Sequence, residues 1–421
     1  IAVQQRVHWR WNISALRQCL APTRSCTVSN SRQWSQKPDP EMTSITWLRK
    51  FNCDVLVIDV IGTGWLQKCL PQDCHIETLD IRNRKPLLLD LGFFFLLCRS
   101  LVFSSRKGGG HIGYAWLSAL LKRLTPRLII SCADNNPLLA KYAEDNPQVP
   151  VVLIQNALRD TQGSMTPGQA LPIYLAFGEV EKEIFNALDI RCKAYRPIGS
   201  IKLGLALAQD AIKVHQAFDL AFISHYRPEM FGTKSSSLQQ HIECCQRRLF
   251  EFCCQYVRNR NLSFCVITKT REPEAQFAER AYYTRLADDV SLDFVCADKA
   301  EKELDSYLAG LSSNLIIHPG STLGFELFAA GKKVILGATI DPELIRAWGV
   351  EHYVDRLPDS VKLKAGGSEA DFFLRCDTLR TMPDTQYCDL TREAAQSLVS
   401  MPTDEHPHET IKSLISEYLS R

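Results

Sequence analysis

The sequence lacks any apolar run long enough to cross a bilayer. Its longest, Leu87 to Phe103 (LLLDLGFFFLLCRSLVF), is broken by Asp90 and Arg99 and falls short of the ~20 residues that such a span needs. It reads as a buried helix. Peripheral docking on a membrane is the alternative, because Arg99, Arg106 and Lys107 are basic. An excess of either charge is missing too. Lys and Arg number 49 against 47 Asp and Glu, leaving +2 over 421 residues, so nucleic acid is not expected as a partner. The 16 cysteines form no pair of CxxC units, which argues against a zinc ribbon. Cys244-Cys245 and Cys253-Cys254 share one helical stretch and read as core-filling thiols, a usage that fits a reducing, cytoplasmic compartment. Acidic residues are absent from Ile1 to Pro38, where six Arg or Lys occur. Residues 1–41 are therefore expected to be a disordered or non-native extension, or a targeting arm.

What is present is an alternation of short apolar strands with amphipathic helices. Strands are expected at Asp54–Val60, His75–Asp80, Arg127–Cys132, Val149–Ile154 and Ile173–Phe177, with helices at Gly113–Leu124 and Glu179–Leu188. A second series places strands at Phe218–Ser224, Leu262–Thr268, Val290–Val295, Asn314–Ile317 and Lys333–Leu336, with helices at Ser237–Arg258 and Glu274–Leu286. The length suits two domains. The rhythm predicts an α/β fold of two Rossmann-like domains facing each other across a cleft. Residues 42–205 are assigned to the first domain and 206–356 to the second. Residues 357–421 form an extension of looser pattern, closed by a helix from about Glu409 to Leu419. Two glycine-rich stretches do not make cofactor sites. Gly62-Thr63-Gly64 has Gln67 where a dinucleotide fingerprint needs glycine, and the loop Arg106 to His111 lacks the GK[ST] ending of a phosphate loop.

The run Ile316 to Gly337 (IIHPGSTLGFELFAAGKKVILG) is the most informative. Pro319 stops a strand, Gly320 permits a sharp turn, and Ser321 or Thr322 can cap the helix that Gly331 ends. Capping accounts for one hydroxyl. Two hydroxyls and a glycine at a strand-to-helix junction suit an anion, because a helix start offers free N–H groups and partial positive charge. His318 would add a donor or, if protonated, a charge. Glu326 would accept from ribose hydroxyls.

This order of strand, HPGSTLGFE, helix and AxGKKVILG resembles the donor-binding half of glycosyltransferases of the two-Rossmann-domain (GT-B) type. It is most similar to bacterial surface-carbohydrate transferases, including those using CMP-activated Kdo or sialic-type sugars. In the sialyl- and polysialyltransferase pattern the His-Pro and Ser-Thr pairs are separate, whereas here they are fused. The resemblance runs from about residue 54 to 350 and takes in Asp134-Asn135-Asn136-Pro137, Ile154-Gln155-Asn156 with Arg159-Asp160, Phe177-Gly178, Gly199-Ser200 with Lys202, and Ile223-Ser224 with Arg227. It implies a nucleotide-sugar donor on Ser321 and Thr322, a glycan or glycolipid acceptor at the first domain, and a place in the cytoplasm or at the inner membrane face. A nucleotide-sugar epimerase of the same architecture and a non-catalytic binding protein are the competing readings.

Sugar transfer develops positive charge at the anomeric carbon, and a cleft carboxylate can stabilise it, attack it or take the acceptor proton. Asp160 is the first candidate for that carboxylate and Asp134 the second. Arg159, beside Asp160, would hold an acidic donor or acceptor, and Asn156 and Lys202 are further substrate contacts. Glu179, Glu181 and Glu183 open a helix, where acidic side chains suit the dipole; Glu179 is the one expected to face the cleft. Ser224, Arg227, Lys269 and Arg271 end strands where phosphate would pass, or else are solvated surface. No Asp-x-Asp pair stands at a strand end, so neither a bridging metal nor another cofactor is implied.

Overall fold

Short β-branched runs alternate with helices as the sequence pattern requires, and they assemble into two parallel sheets. A computed structural model describes residues 53–59, 63–71, 73–81, 91–106, 112–209, 218–228, 237–296, 304–401 and 406–420. The expected extension at 1–41, Gly62 of the first glycine pair and residues 107–111 of the second glycine-rich loop lie outside them.

The first half runs β1 (Val55–Ile58), α1 (Thr63–Leu66), β2 (Ile76–Leu79), α2 (Leu91–Arg106), α3 (Ile112–Leu124), β3 (Leu128–Ser131), α4 (Pro137–Asp145), β4 (Val151–Ile154), β5 (Ala170–Ala176), α5 (Glu181–Ala187), β6 (Arg191–Pro197) and α6 (Ile201–Leu207). Its strands lie in the order β2-β1-β3-β4-β5-β6, each pair parallel. Every residue of β1, β3 and β4 is buried, as expected of strands covered by helices on both faces. β6 is missing from the sequence expectation because RCKAYRP, a half-exposed edge strand, carries little apolar signal.

The second half runs β7 (Leu220–Ile223), α7 (Ser237–Arg260), β8 (Phe264–Ile267), α8 (Pro273–Ala287), β9 (Asp293–Val295), α9 (Asp305–Ser312), β10 (Leu315–His318), α10 (Thr322–Ala329), β11 (Val334–Leu336), α11 (Pro342–Trp348), α12 (Glu351–Arg356), α13 (Glu369–Thr381), α14 (Asp384–Leu398) and α15 (Pro407–Ser420). Strand order is β11-β10-β7-β8-β9, again all parallel. The winding leaves β7 toward β8 and β9, then returns to its other side as β10 and β11. Loops after β7 and β10 therefore part from each other, and a crevice opens at their carboxyl ends.

Two expectations are corrected here. The chain beyond Leu357 is not loose. α13 begins with a capping box between Ser368 and Asp371, and α14 buries Tyr387, whose hydroxyl accepts from the Val334 amide at 3.2 Å. The segment then returns to the first half. The Ser400 amide donates to the Phe177 carbonyl at 2.7 Å, and Gly199 and Gly204 lie so close to Ser400 and Pro407 that a Cβ would overlap them. The second correction concerns the apolar run. α2 buries Phe93 but leaves Leu91 90%, Phe95 66% and Phe94 64% exposed, so it is not a buried helix. Among the described residues no helix is long and apolar enough to cross a membrane.

Candidate functional site

The crevice of the second sheet is built by residues that follow β7, β8 and β10. After β10, Gly320 adopts φ 139°, and a Cβ there would run into the Trp348 ring. Both conditions require glycine. Ser321 occupies the cap position of α10, yet its side chain makes no capping bond, contrary to the expectation that a hydroxyl caps this helix. Instead the Ser321 amide donates to His318 Nδ1 at 3.0 Å. The Thr322 hydroxyl accepts from the Leu158 amide of the first half at 3.3 Å. The Ser321 hydroxyl and the amides of Thr322 and Leu323 make no hydrogen bond within the described residues.

His318 lies beneath this first turn, where Gly324 leaves room for its ring. It is 1% exposed, and burial pushes its pKa down to about 3. Of the two roles expected for His318, a donor or a charge, the charge is not met: the imidazole is neutral, and with Nδ1 accepting, its proton belongs on Nε2. His225, after β7, stacks on Trp348 at 5.3 Å and donates its amide to Gln246 Oε1 at 2.6 Å. Burial, then Lys269, Arg227 and His318, hold the His225 imidazole well below its ordinary range. Lys269 and Arg227 thus make the potential positive here.

A cavity of about 440 Å³ opens over the ends of β7 and β8, lined by Tyr226, Arg227, Pro228, Gln239, Lys269 and Thr270. Arg227 is exposed and forms no ion pair among the described residues. The Lys269–Thr270 turn is held by the buried Glu279, which accepts from both amides at 3.0 and 2.9 Å, from the Thr270 hydroxyl and from Ser224. Ser224 is 2% exposed and also accepts from Tyr283 at 2.9 Å. It is a strut behind the cavity rather than the donor contact expected. Arg271 is exposed at the far end of the same turn.

The loop after β4 reaches the α10 tip from the first half, through the Leu158 amide on the Thr322 hydroxyl. Asp160 is half-buried, and its Oδ1 accepts from the Gln162 and Ser164 amides at 2.8 and 3.1 Å, while Oδ2 makes no hydrogen bond within the described residues. The next amide, Thr161, reaches the Gly349 carbonyl at 3.3 Å, beside Trp348. Asp160 and the α10 tip therefore belong to loops that touch.

Other expected site residues are occupied within the protein. Asp134 is fully buried and binds Arg159 through both oxygens, with Tyr174 donating at 2.6 Å. Neither Asp134 nor Arg159 faces the cleft as expected, because each neutralises the other. Asn156 bonds the Cys132 carbonyl and accepts from Arg159 at 3.3 Å. Glu326, expected near ribose, is 2% exposed, and its oxygens take Ser200 and Tyr307. Glu179 is exposed and pairs with Lys182, with its amide on the Ser397 carbonyl at 2.9 Å. Lys202 is half-buried over the Trp65 ring at 5.8 Å and faces the Glu326 charge.

Sequence reasoning missed Glu181, Glu279, His225, Trp348 and Tyr353. Glu181 stands inside a trio of helix-opening acids, which hid its burial. It accepts from Gln155 at 2.7 Å, Tyr353 at 3.0 Å and the Gly178 amide at 3.2 Å. Tyr353 in turn accepts from the Arg159 amide at 3.0 Å, so this network joins the two halves. Among the described residues no group of three or more His, Cys, Asp or Glu is placed to hold a metal ion.

Residues 190–342, from β6 into the first residue of α11, match the family model described as "putative O-antigen biosynthesis protein". No curated protein sequence matches the chain. Among solved structures, a variant of the wall teichoic acid polymerase TagF superposes with a TM-score of 0.50 and 9% identity, over 88% of this chain and 90% of that one. The Methanocaldococcus jannaschii UDP-GlcNAc 2-epimerase in complex with UDP-GlcNAc and UDP gives 0.48 and 10% identity, over 86% and 99%. Sucrose-phosphate synthase from Thermosynechococcus elongatus gives 0.42 and 11%, over 86% and 97%. The shared property is the fold: two parallel-sheet α/β domains of GT-B-like architecture.

Proposed function

We propose that the protein is a glycosyltransferase that takes a sugar from a nucleotide-linked donor to a glycan or glycolipid acceptor in surface-polysaccharide assembly. One observation carries the reading. At the switch point of the second sheet, the Ser321 hydroxyl and the Thr322 and Leu323 amides make no hydrogen bond among the described residues, and they follow β10 at the same sheet edge where Arg227 and Lys269 follow β7 and β8. Phosphate oxygens placed there would meet N–H and O–H donors, the positive end of α10 and two cations.

Transfer lengthens the bond between anomeric carbon and phosphate oxygen. Negative charge grows on the leaving phosphate, where these groups would stabilise it without rearranging. Positive charge grows on the sugar, and Asp160 Oδ2, from the facing loop, would stabilise it or take the acceptor proton. The O-antigen model matches residues 190–342, which include the α10 tip proposed here to hold the donor, and that supports a role in surface carbohydrate. A CMP-linked acidic sugar such as CMP-Kdo is the donor we favour, since Arg227 and Lys269 suit a second negative charge and the HPGST run resembles that group of enzymes.

Titration with CMP, UDP and GDP followed by calorimetry tests the reading. Binding of one nucleotide, weakened about tenfold or more by the double change Ser321→Ala and Thr322→Ala, is the expected result. Absence of binding by all three would overturn it, and isomerised sugar released without an acceptor would replace transfer by epimerisation.

A further inference from the structure

The apolar face of α2 supplies none of the site residues named above, yet it holds the most exposed apolar side chains described. Leu91 (90%), Phe94 (64%), Phe95 (66%) and Val102 (53%) stand out from the protein, and Ile112 (52%) at the start of α3 extends the group. Positions 91, 94, 95, 98 and 102 follow helical spacing, so Leu91, Phe94, Phe95, Cys98 and Val102 form one stripe, with the exposed Arg99 at its side. The inward residues Phe93 and Ser100 are buried, so the helix is anchored by one face and offers the other.

We infer that this stripe docks on an anionic phospholipid surface. The charge distribution names the occupant. From Arg82 to Lys107 the sequence holds six Lys or Arg and one Asp, a local +5, whereas the whole chain carries +2. In sequence, Arg82, Arg84 and Lys85 precede the apolar stripe and Arg106 and Lys107 follow it, the composition of helices that lie in the plane of a membrane with Phe and Leu inserted and cations at the headgroups. The protruding rings are suited to insertion between lipids. At 16 residues, with one face packed on the protein, α2 lies on a bilayer rather than crossing it. The inference stands apart from the donor reading: a chain that binds vesicles but no nucleotide sustains the first and sinks the second.

The test is sedimentation of the full chain with phosphatidylcholine vesicles, with and without phosphatidylglycerol. Binding is expected to the anionic vesicles and to fall with salt. The double change Phe94→Ser and Phe95→Ser should lower the partition by roughly tenfold or more without changing the melting temperature, because both rings are exposed. Phe277→Ser, at a ring 76% exposed elsewhere on α8, should leave binding unchanged. Equal binding to neutral vesicles, or equal loss from Phe277→Ser, would overturn the inference. So would a stripe that holds two copies of the chain together, seen as a dimer that Phe94→Ser with Phe95→Ser dissociates and that ignores lipid.

Discussion

Replacing Glu181 by Gln should change the stability of the protein by an amount that reverses sign with pH. Glu181 is fully buried, and the three groups that donate to it (Gln155, Tyr353 and the Gly178 amide) are all neutral. Burial, opposed by those hydrogen bonds, raises its pKa from the ordinary 4.5 to about 7. A folded pKa above the unfolded one means that the folded state binds the proton more tightly. The associated stability is fully present below the unfolded pKa and is lost as pH rises through the folded value. The difference corresponds to about 3 kcal/mol, lost between roughly pH 4.5 and pH 7.5. Gln at this position does not titrate. Its carbonyl can still accept from Gln155 and Tyr353, but its amide meets the Gly178 N–H, a loss of about 1 kcal/mol. Urea unfolding of both proteins should therefore find Glu181→Gln about 1 kcal/mol less stable near pH 3.5 and about 2 kcal/mol more stable near pH 8. Other titrating groups cancel in the difference. A gap between the two proteins that stays constant with pH would refute the argument that Glu181 is buried among neutral donors.

Three further outcomes follow from the geometry. Gly324→Ala places a methyl in the His318 ring and should cost about 1–3 kcal/mol while weakening nucleotide binding; urea midpoints and calorimetry that both stay unchanged would remove His318 as the anchor of the α10 tip. Ser200→Ala leaves the buried Glu326 with Tyr307 as its remaining side-chain donor, so a loss of about 1–3 kcal/mol is expected in the same unfolding assay. Asp160→Asn keeps the Oδ1 acceptor of its turn and should leave melting and donor affinity intact while turnover falls by about 100-fold or more; full activity would exclude Asp160 from the chemistry.

Much of the fold was legible because parallel strands buried on both faces must be apolar along their whole length. VLVI, LIIS, VVLI, LAFI, FCVI and LIIH announce themselves in that way. β6 did not, since an edge strand keeps its polar residues. α13 and α14 were hidden for a related reason: α13 buries Phe372, Cys376 and Leu379 but leaves Leu374 69% exposed, so its stripe is blurred. The candidate site was legible only in part. Gly320, Ser321 and Arg227 could be named from their places after strands, because backbone freedom, a hydroxyl and a cation are properties of single residues; that the Ser321 hydroxyl leaves the helix uncapped was not legible.

Which polar groups face the crevice is a different kind of fact. A carboxylate cannot show from its own neighbours in sequence whether a partner from another strand will neutralise it. Asp134 meets Arg159 across 25 positions, Ser200 meets Glu326 across 126, and Glu181 meets Tyr353 across 172. Local composition determined the parallel α/β elements and the turn at Gly320. Tertiary packing decided strand order, the switch point beside β7 and the pairing of buried charges, since these depend on contacts between residues far apart in the chain.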